Sequence, residues 1–530
     1  MNESNNTAET PPLLSTPWIQ AAAALALFFG ALLLMGGTKA PAVPTDEGLL
    51  FHALARHFSD HGFIGTPAER LPAGENALWI AILAALSAAG VPWDRLATLA
   101  AALCAAVGIA AIPAFGRRCW PHQHLAYWLL PAAAFIAGFL FDTIRGAPDA
   151  AAAAFLVAGF ANAAASAARG VKILPLSAAW WIGLASLFHV EYAAWWVALG
   201  LVWLVSPATS DESETFPAFI RLINGAILIT ILLVPVFWWN SLVVGVPLPR
   251  APDASMSLTA IASEDILEPA AELGFLGGAK WMLGSVYAAF GLPGMLFGAV
   301  GLILAAAMPT QLRSAPLARF VWALLVLVFA APLLQMVSGG AILAALAAGA
   351  RLIWLVGIGV FIICFASWLR DRADPAAGLQ PRTVYLMFLV LLGLMAWLSG
   401  MIGSVATPMR KARSEARILA EKRDALKSGL PPPAEIGGAI ATDSPGFLLA
   451  EGYPNAIDLT GRLHPVILNW APGGVVRDAD GLRVYLQQRN TRFGALLSDA
   501  AVQRFAPVFD CPAGVSNGPV VCRFTPGEAF

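Results

Sequence analysis

The sequence predicts a mainly α, polytopic membrane helical bundle with a small C-terminal α/β domain. Three observations predict it. The 530 residues are 58% hydrophobic and 12% charged, with a mean hydropathy of +0.71, whereas a soluble domain carries roughly 25% charged residues. Apolar runs of membrane-spanning length recur between Ile19 and Ile402. Beyond Ile402 the composition turns first charged, then proline-rich, then globular. The net charge of -1 says nothing about partners, and no basic block points to nucleic acid.

The segment Met1 to Trp18 is polar and has no Lys or Arg, so it lacks the positive start of a secretory signal. The first run, Ile19–Met35, is therefore expected to remain as an anchor, although Thr38-Lys39-Ala40-Pro41-Ala42 loosely resembles a cleavage site. About eleven runs are read as crossings on length and apolarity. They are Ile19–Met35, Leu96–Phe115, Leu125–Phe141, Ala150–Ala168, Ile173–Phe188, Tyr192–Val205, Leu222–Trp239, Trp281–Met308, Phe320–Val337, Leu352–Leu369 and Val384–Ile402. Ala77–Val91 is as apolar but short, and charged or polar residues flank it, so it is read as a re-entrant or interfacial helix. Ala341–Ala350, just before Arg351, is read in the same way.

This arrangement puts the N-terminus inside and the C-terminus outside. The inside loops then carry Arg117-Arg118, Arg169 with Lys172, Arg221, Arg313 with Arg319, and Arg370, Arg372 and Arg382, as the positive-inside rule requires. The same arrangement places four polar elements on the outer face: Asp46-Glu47, the stretch Asp142 to Asp149, His189-Val190-Glu191, and the loop from Asn240 to Lys280. An acid where a helix leaves the bilayer is costly to desolvate and commonly faces water or a cavity. By position alone, Asp46-Glu47 reads equally as a helix cap or as a site. Asp149 reads also as a helix-start carboxylate. His189 and Glu191 are two residues apart, so they do not form a helical metal pair. His52, His57 and His61 are read as interfacial polarity on one helix face, and no metal site is expected.

The chain divides into residues 1–408, a membrane domain; 409–434, a charged helix followed by the stiff linker Leu430-Pro431-Pro432-Pro433; and 435–530, a small α/β domain. Strands are expected at Ala439–Thr442, Ala456–Leu459, Phe493–Leu497 and Val520–Phe524, and helices at Ala479–Arg489 and Asp499–Phe505. Cys104 and Cys364 lie in apolar runs. Cys511 and Cys522 bracket a Gly/Pro-containing loop, a spacing that suits a disulfide in an oxidising compartment or two free thiols.

These residues resemble the GT-C membrane glycosyltransferases, and most closely the actinobacterial arabinofuranosyltransferases that use a polyprenyl-phosphate sugar. The resemblance rests on an ordered set of motifs along nearly the whole chain. Asp46-Glu47 is followed by Gly62-Phe63-Ile64 and by Glu69-Arg70-Leu71-Pro72-Ala73-Gly74-Glu75-Asn76-Ala77-Leu78-Trp79. Arg145-Gly146-Ala147-Pro148-Asp149 is similar to an acidic motif opening a later helix. Gly245-Val246-Pro247-Leu248-Pro249 and Ile457-Asp458-Leu459-Thr460-Gly461-Arg462-Leu463 are similar to further elements of the group. Three departures stand out: His189 where Arg is the pattern, Val190 where Pro is the pattern, and Pro249-Arg250 in place of Pro-Asn-Thr.

The resemblance implies sugar transfer from a polyprenyl-phosphate-linked donor to a glycan or lipid acceptor, with inversion, at the outer face of a bacterial cytoplasmic membrane. The chain would be multi-pass and its C-terminal domain periplasmic. An attacking hydroxyl must lose its proton, and a carboxylate can take it; Asp46 is assigned that role. Glu47 would orient the acceptor or hold a divalent cation. The leaving lipid phosphate is a stable anion that needs cations more than an acid, for which Arg351, Lys280, Arg250 and Arg145 are the candidates. Arg351 is favoured because it interrupts an apolar stretch, and it reads also as a snorkelling interfacial Arg. Asp149, His189 and Glu191 would position donor or acceptor. Two alternatives stand beside this reading. A non-catalytic scaffold or binding subunit of envelope glycan assembly would suit the departure at His189-Val190-Glu191. A lipid-linked glycan transporter would show internal repeats and central intramembrane charges, and the sequence has no repeat.

Overall fold

The structure, a computed structural model, describes residues 17–34, 46–64, 76–119, 148–169, 171–206, 215–244, 275–307, 315–338 and 342–372, then 390, 447–450, 464–466, 483–484, 487, 491–496, 508–510 and 520–525. The helices, in chain order, are α1 (Pro17–Leu34), α2 (Asp46–His61), α3 (Ala77–Ala88), α4 (Trp93–Cys119), α5 (Pro148–Ala168) and α6 (Leu176–Ser186). A 3-10 turn (Val190–Tyr192) precedes α7 (Ala193–Val205), α8 (Thr215–Val244), α9 (Phe275–Ala307), α10 (Ala315–Ser338) and α11 (Ile342–Arg372). Among the described residues three stretches are long and apolar enough to cross a membrane by length and composition: Arg95–Gly116, Ala151–Ala168 and Phe216–Val243.

Aromatic side chains form the centre of the bundle. Phe160 of α5 meets Trp195 of α7 edge-on, with ring centroids 4.9 Å apart, and stacks on Phe320 of α10 at 4.8 Å. Phe320 also meets Phe115 of α4 at 5.5 Å and Trp203 of α7 at 5.6 Å. All of these rings are buried. Four helices thus share one aromatic core, and such pairs contribute beyond their buried area. Around it, α4 and α5 pack through buried alanines, among them Ala101, Ala105, Ala151 and Ala154. Small side chains let helix backbones approach closely where lipid supplies no hydrophobic drive.

The pair α9–α11 makes this point most sharply. A Cβ on Gly301 would strike the Gly357 carbonyl, so these two positions have room only for hydrogen. The indole N–H of Trp354 donates to the Met295 carbonyl at 2.8 Å and fixes the register of the pair. Within α9 the helix is broken at Gly291 (φ 65, ψ 176), two residues before Pro293; a positive φ suits glycine and proline cannot continue the upstream hydrogen bonding. In α8, by contrast, only 22% of the spanning window is buried, and Ile227, Ile231, Val234 and Trp238 face outward.

Several helix limits differ from the sequence reading. The run expected at Ala341–Ala350 is not a separate interfacial piece: from Ile342 onward it joins the following run in the 31-residue α11, and Arg351 lies inside that helix. The runs Ile173–Phe188 and Tyr192–Val205 form helices of only 11 and 13 residues, which span roughly 17–20 Å at 1.5 Å per residue. The reason is the backbone turn at 187–192, where the carbonyls of Leu187 and Phe188 leave the helix to accept hydrogen bonds from α3. The helix α3 itself has 12 residues, a length of roughly 18 Å. Asn240 does not begin a loop; it is buried inside α8, which runs on to Val244.

Near the C-terminus, five strands form one sheet in the order β2-β1-β3-β5-β4. They are β1 (Phe447–Ala450), β2 (His464–Val466), β3 (Thr491–Leu496), β4 (Phe509–Asp510) and β5 (Val520–Phe524). The strand β1 is parallel to β2 and β3, and β5 is antiparallel to β3 and β4. The strands expected from the sequence at Phe493–Leu497 and Val520–Phe524 match β3 and β5. Those at Ala439–Thr442 and Ala456–Leu459, and the helix at Asp499–Phe505, lie outside the described residues. So does most of the helix expected at Ala479–Arg489, of which only 483–484 and 487 are described as helical. Cys522 is buried on β5 and disulfide-bonded; Cys511 lies outside the described residues.

Candidate functional site

The site is built from the entry to α3 and the break between α6 and α7. The helix α2 starts at Asp46, with Glu47 in its first turn, where acids meet the positive end of the helix dipole. The side chains of both acids lie outside the described residues. Buried Phe51, Leu54 and Ala55, with partly buried Phe58, follow helical spacing and form one apolar stripe; α2 packs along α3. At the far end of α2, His57 is buried and stacks on His61 with centroids 4.2 Å apart, and Phe63 meets His57 edge-on at 4.7 Å. The face expected to be interfacial polarity therefore includes a buried aromatic group.

Asn76 precedes the first turn of α3. It adopts a left-handed backbone, φ 73 and ψ 26, and is the only non-glycine residue to do so among those described. Its backbone N–H donates to the Phe188 carbonyl at 2.5 Å, and the N–H of Leu78 donates to the Leu187 carbonyl at 3.2 Å. Asn76 is 1% exposed, and its Oδ1 has no hydrogen-bond partner among the described residues.

Phe188 is the hub on the other side of this joint. It is fully buried, 6.4 Å from Trp79 of α3 and 5.8 Å from Phe155 of α5 between ring centroids. Phe155 also stacks on Trp181 of α6 at 5.8 Å. Asp149, the second residue of α5, precedes Phe155 by six positions, about 9 Å along the helix axis; its side chain is outside the described residues. After Phe188 the chain is extended at His189 (φ -138, ψ 117) and then turns through Val190–Tyr192. His189 is buried with its ring 6.1 Å from that of Tyr192, and Glu191 is half-buried.

The helix α11 packs against both this 3-10 turn and α5. Gly349 leaves no room for a Cβ beside the indole of Trp195. Buried Ala350 and Leu352 flank Arg351, which is exposed. Lys280 is exposed on the first half of α9. The turn that carries Glu191 follows His189 and is packed by α11, the helix of Arg351, while the carbonyl of Phe188 just before it accepts from Asn76. Arg145 and Arg250 lie outside the described residues. Asn76 was quoted in a sequence motif without a role; the signal for it is structural, a buried side chain with an unmet acceptor. Among the described residues no three His, Cys, Asp or Glu side chains converge as a metal site.

No family model matches the chain, and no curated protein matches it in sequence. Solved structures do match in fold. ArnT from Cupriavidus metallidurans, solved bound to undecaprenyl phosphate, superposes with a TM-score of 0.52 at 15% identity, over 96% of this chain and 97% of that one. The oligosaccharyltransferase AglB from Archaeoglobus fulgidus, in complex with an inhibitory peptide and a dolichol-phosphate, gives 0.55 at 12% identity, over 96% and 75%. The mycobacterial arabinofuranosyltransferase AftD gives 0.50 at 13% identity, over 97% of this chain and 40% of AftD. The chain thus shares its fold with these solved glycosyltransferases of the membrane, and three of its described helices are long and apolar enough to cross one.

Proposed function

We propose that the protein transfers a sugar from a polyprenyl-phosphate-linked donor to a glycan or lipid acceptor at the outer face of the cytoplasmic membrane, with inversion. One observation carries this reading: the fold is shared over nearly the full length of ArnT, a protein solved bound to undecaprenyl phosphate. AglB, solved with a dolichol-phosphate, adds a second case. The packing of α11, which carries Arg351, against the turn that carries Glu191 supports the assignment of these groups.

In this reading Asp46 takes the proton of the attacking acceptor hydroxyl, and Glu47 orients that acceptor. The oxygen attacks the anomeric carbon as the bond from that carbon to the lipid phosphate breaks. The lipid phosphate leaves with the electron pair. Arg351, assisted by Lys280, Arg250 or Arg145, meets its negative charge, and the Arg fork suits phosphate oxygens. Asp149, His189 and Glu191 position the two substrates. The C-terminal residues 435–530 form a periplasmic domain closed by a Cys511–Cys522 disulfide.

The arabinofuranosyl identity of the sugar is the finer part of the proposal. Mass spectrometry of surface and periplasmic glycans in a deletion strain, beside an Asp46→Asn strain, tests it. Loss of the same glycan in both supports transfer and names the sugar. A missing glycan in the deletion with a normal profile in Asp46→Asn favours a non-catalytic scaffold instead.

A further inference from the structure

Asn76 combines features that its backbone role does not explain. The left-handed backbone requires glycine or a short polar residue, and glycine would serve it at no steric cost. The chain instead carries a carboxamide there, 1% exposed, with Oδ1 closed to water and without a hydrogen-bond partner among the described residues. The helix α3 does not use the side chain either, since it makes no cap hydrogen bond. Buried acceptors are nearly always satisfied, and an exception calls for an explanation.

The place of Asn76 supplies one. Its backbone N–H holds the carbonyl of Phe188, one residue before His189 and two before the Val190–Tyr192 turn. That turn is also packed by α11, the helix of Arg351. If Arg351 receives the donor phosphate, the sugar joined to that phosphate lies beside the same turn. We propose that the carboxamide of Asn76 reads a hydroxyl of the donor's sugar, with Oδ1 accepting its hydrogen bond. This rests on the sugar-transfer reading and adds to it a residue that distinguishes the sugar-bearing lipid from the bare lipid phosphate. A site built to bond a hydroxyl discriminates strongly against a ligand that lacks it.

Equilibrium binding to the full chain in nanodiscs tests this. The probes are undecaprenyl phosphate and the same lipid phosphate carrying arabinofuranose, mannose or glucose. The wild type is expected to bind at least one sugar-bearing lipid about tenfold more tightly than bare undecaprenyl phosphate. Asn76→Gly keeps the left-handed backbone and removes the carboxamide. It should abolish that preference while leaving bare undecaprenyl phosphate bound within about twofold. Asn76→Asp keeps an acceptor and should keep the preference; this second variant decides the matter if Asn76→Gly no longer binds the bare lipid and has therefore misfolded. A preference that survives in Asn76→Gly, or is lost in Asn76→Asp with bare-lipid binding intact, overturns the assignment alone. Absence of any sugar preference in the wild type also overturns it. If the wild type binds none of the four lipids, the sugar-transfer reading falls and takes this assignment with it.

Discussion

The backbone N–H of Asn76 donates to the carbonyl of Phe188 across 2.5 Å, tying the entry of α3 to the break between α6 and α7. Elements more than a hundred positions apart in sequence are joined by main chain there, and the Phe188 ring fills the space beneath, against Trp79 and Phe155. Removing that ring should open a cavity at the joint. We expect Phe188→Ala to cost about 3 kcal/mol, seen as a lowered midpoint of thermal unfolding in detergent. Phe188→Leu should recover more than half of the loss. An Ala variant as stable as the wild type would show that Phe188 does not hold the joint.

The contact of α9 with α11 gives a second expectation. A Cβ on Gly301 would meet the backbone of Gly357, which has no flexible side chain to move aside. Gly301→Val should destabilise by about 1–3 kcal/mol through overpacking. Gly284, in the first half of α9, has nothing within 4 Å of its Cβ position, so Gly284→Ala should be neutral or slightly stabilising. Thermal unfolding of the two variants side by side checks the contrast.

Arg319, at the start of α10, is buried. Its guanidinium lies 5.1 Å from the ring centroid of Trp203 and donates to the Val171 carbonyl at 3.3 Å. The indole N–H of Trp203 in turn donates to Ser166 Oγ at 3.0 Å. Because Arg stacks its planar fork where Lys presents a compact ammonium, Arg319→Lys should lose roughly half of the stability lost by Arg319→Ala, itself about 2 kcal/mol. Equal stability of Lys and Arg at this position, measured by thermal unfolding, would mean that charge alone is at work.

Arg351 is exposed on α11 and makes its contribution, in this account, to the donor rather than to folding. We expect Arg351→Ala to unfold at the wild-type temperature while its affinity for undecaprenyl phosphate falls about tenfold or more. Arg351→Lys should fall between the two, since the bidentate fork is lost and the charge is kept. Unaltered affinity in Arg351→Ala would move the phosphate to another cation, with Lys280 the next to test.

Some of this was legible in the sequence and some was not. The apolar runs Leu96–Phe115, Ala150–Ala168 and Leu222–Trp239 and the two C-terminal strands at Phe493–Leu497 and Val520–Phe524 were readable because apolar patterning is local information, whereas Leu125–Phe141 and all but residue 390 of Val384–Ile402 lie outside the described residues. The continuity of α11 was not, because Arg351 looks like a boundary in a linear reading; on the helix it occupies an outward position, which costs no burial. The short α6 and α7 were missed because the break at 187–192 contains Leu187, Phe188, Val190 and Tyr192, which read as membrane-like. What breaks the helix there is hydrogen bonding to α3, a tertiary effect with no local signature. The polar positions proposed for the site were assigned from their place at span ends, whereas Asn76 needed the structure to show a buried Oδ1 with no hydrogen-bond partner among the described residues.

The most direct measurement of the central claim is a single-turnover assay of full-length protein in nanodiscs, loaded with the undecaprenyl-phosphate-linked sugar that it binds best and given the acceptor glycan identified from the deletion strain. If Asp46 takes the acceptor proton, Asp46→Asn should bind the donor as the wild type does and transfer sugar about 10²–10⁴-fold more slowly. Transfer by Asp46→Asn at the wild-type rate, or no transfer by the wild type, would contradict the account.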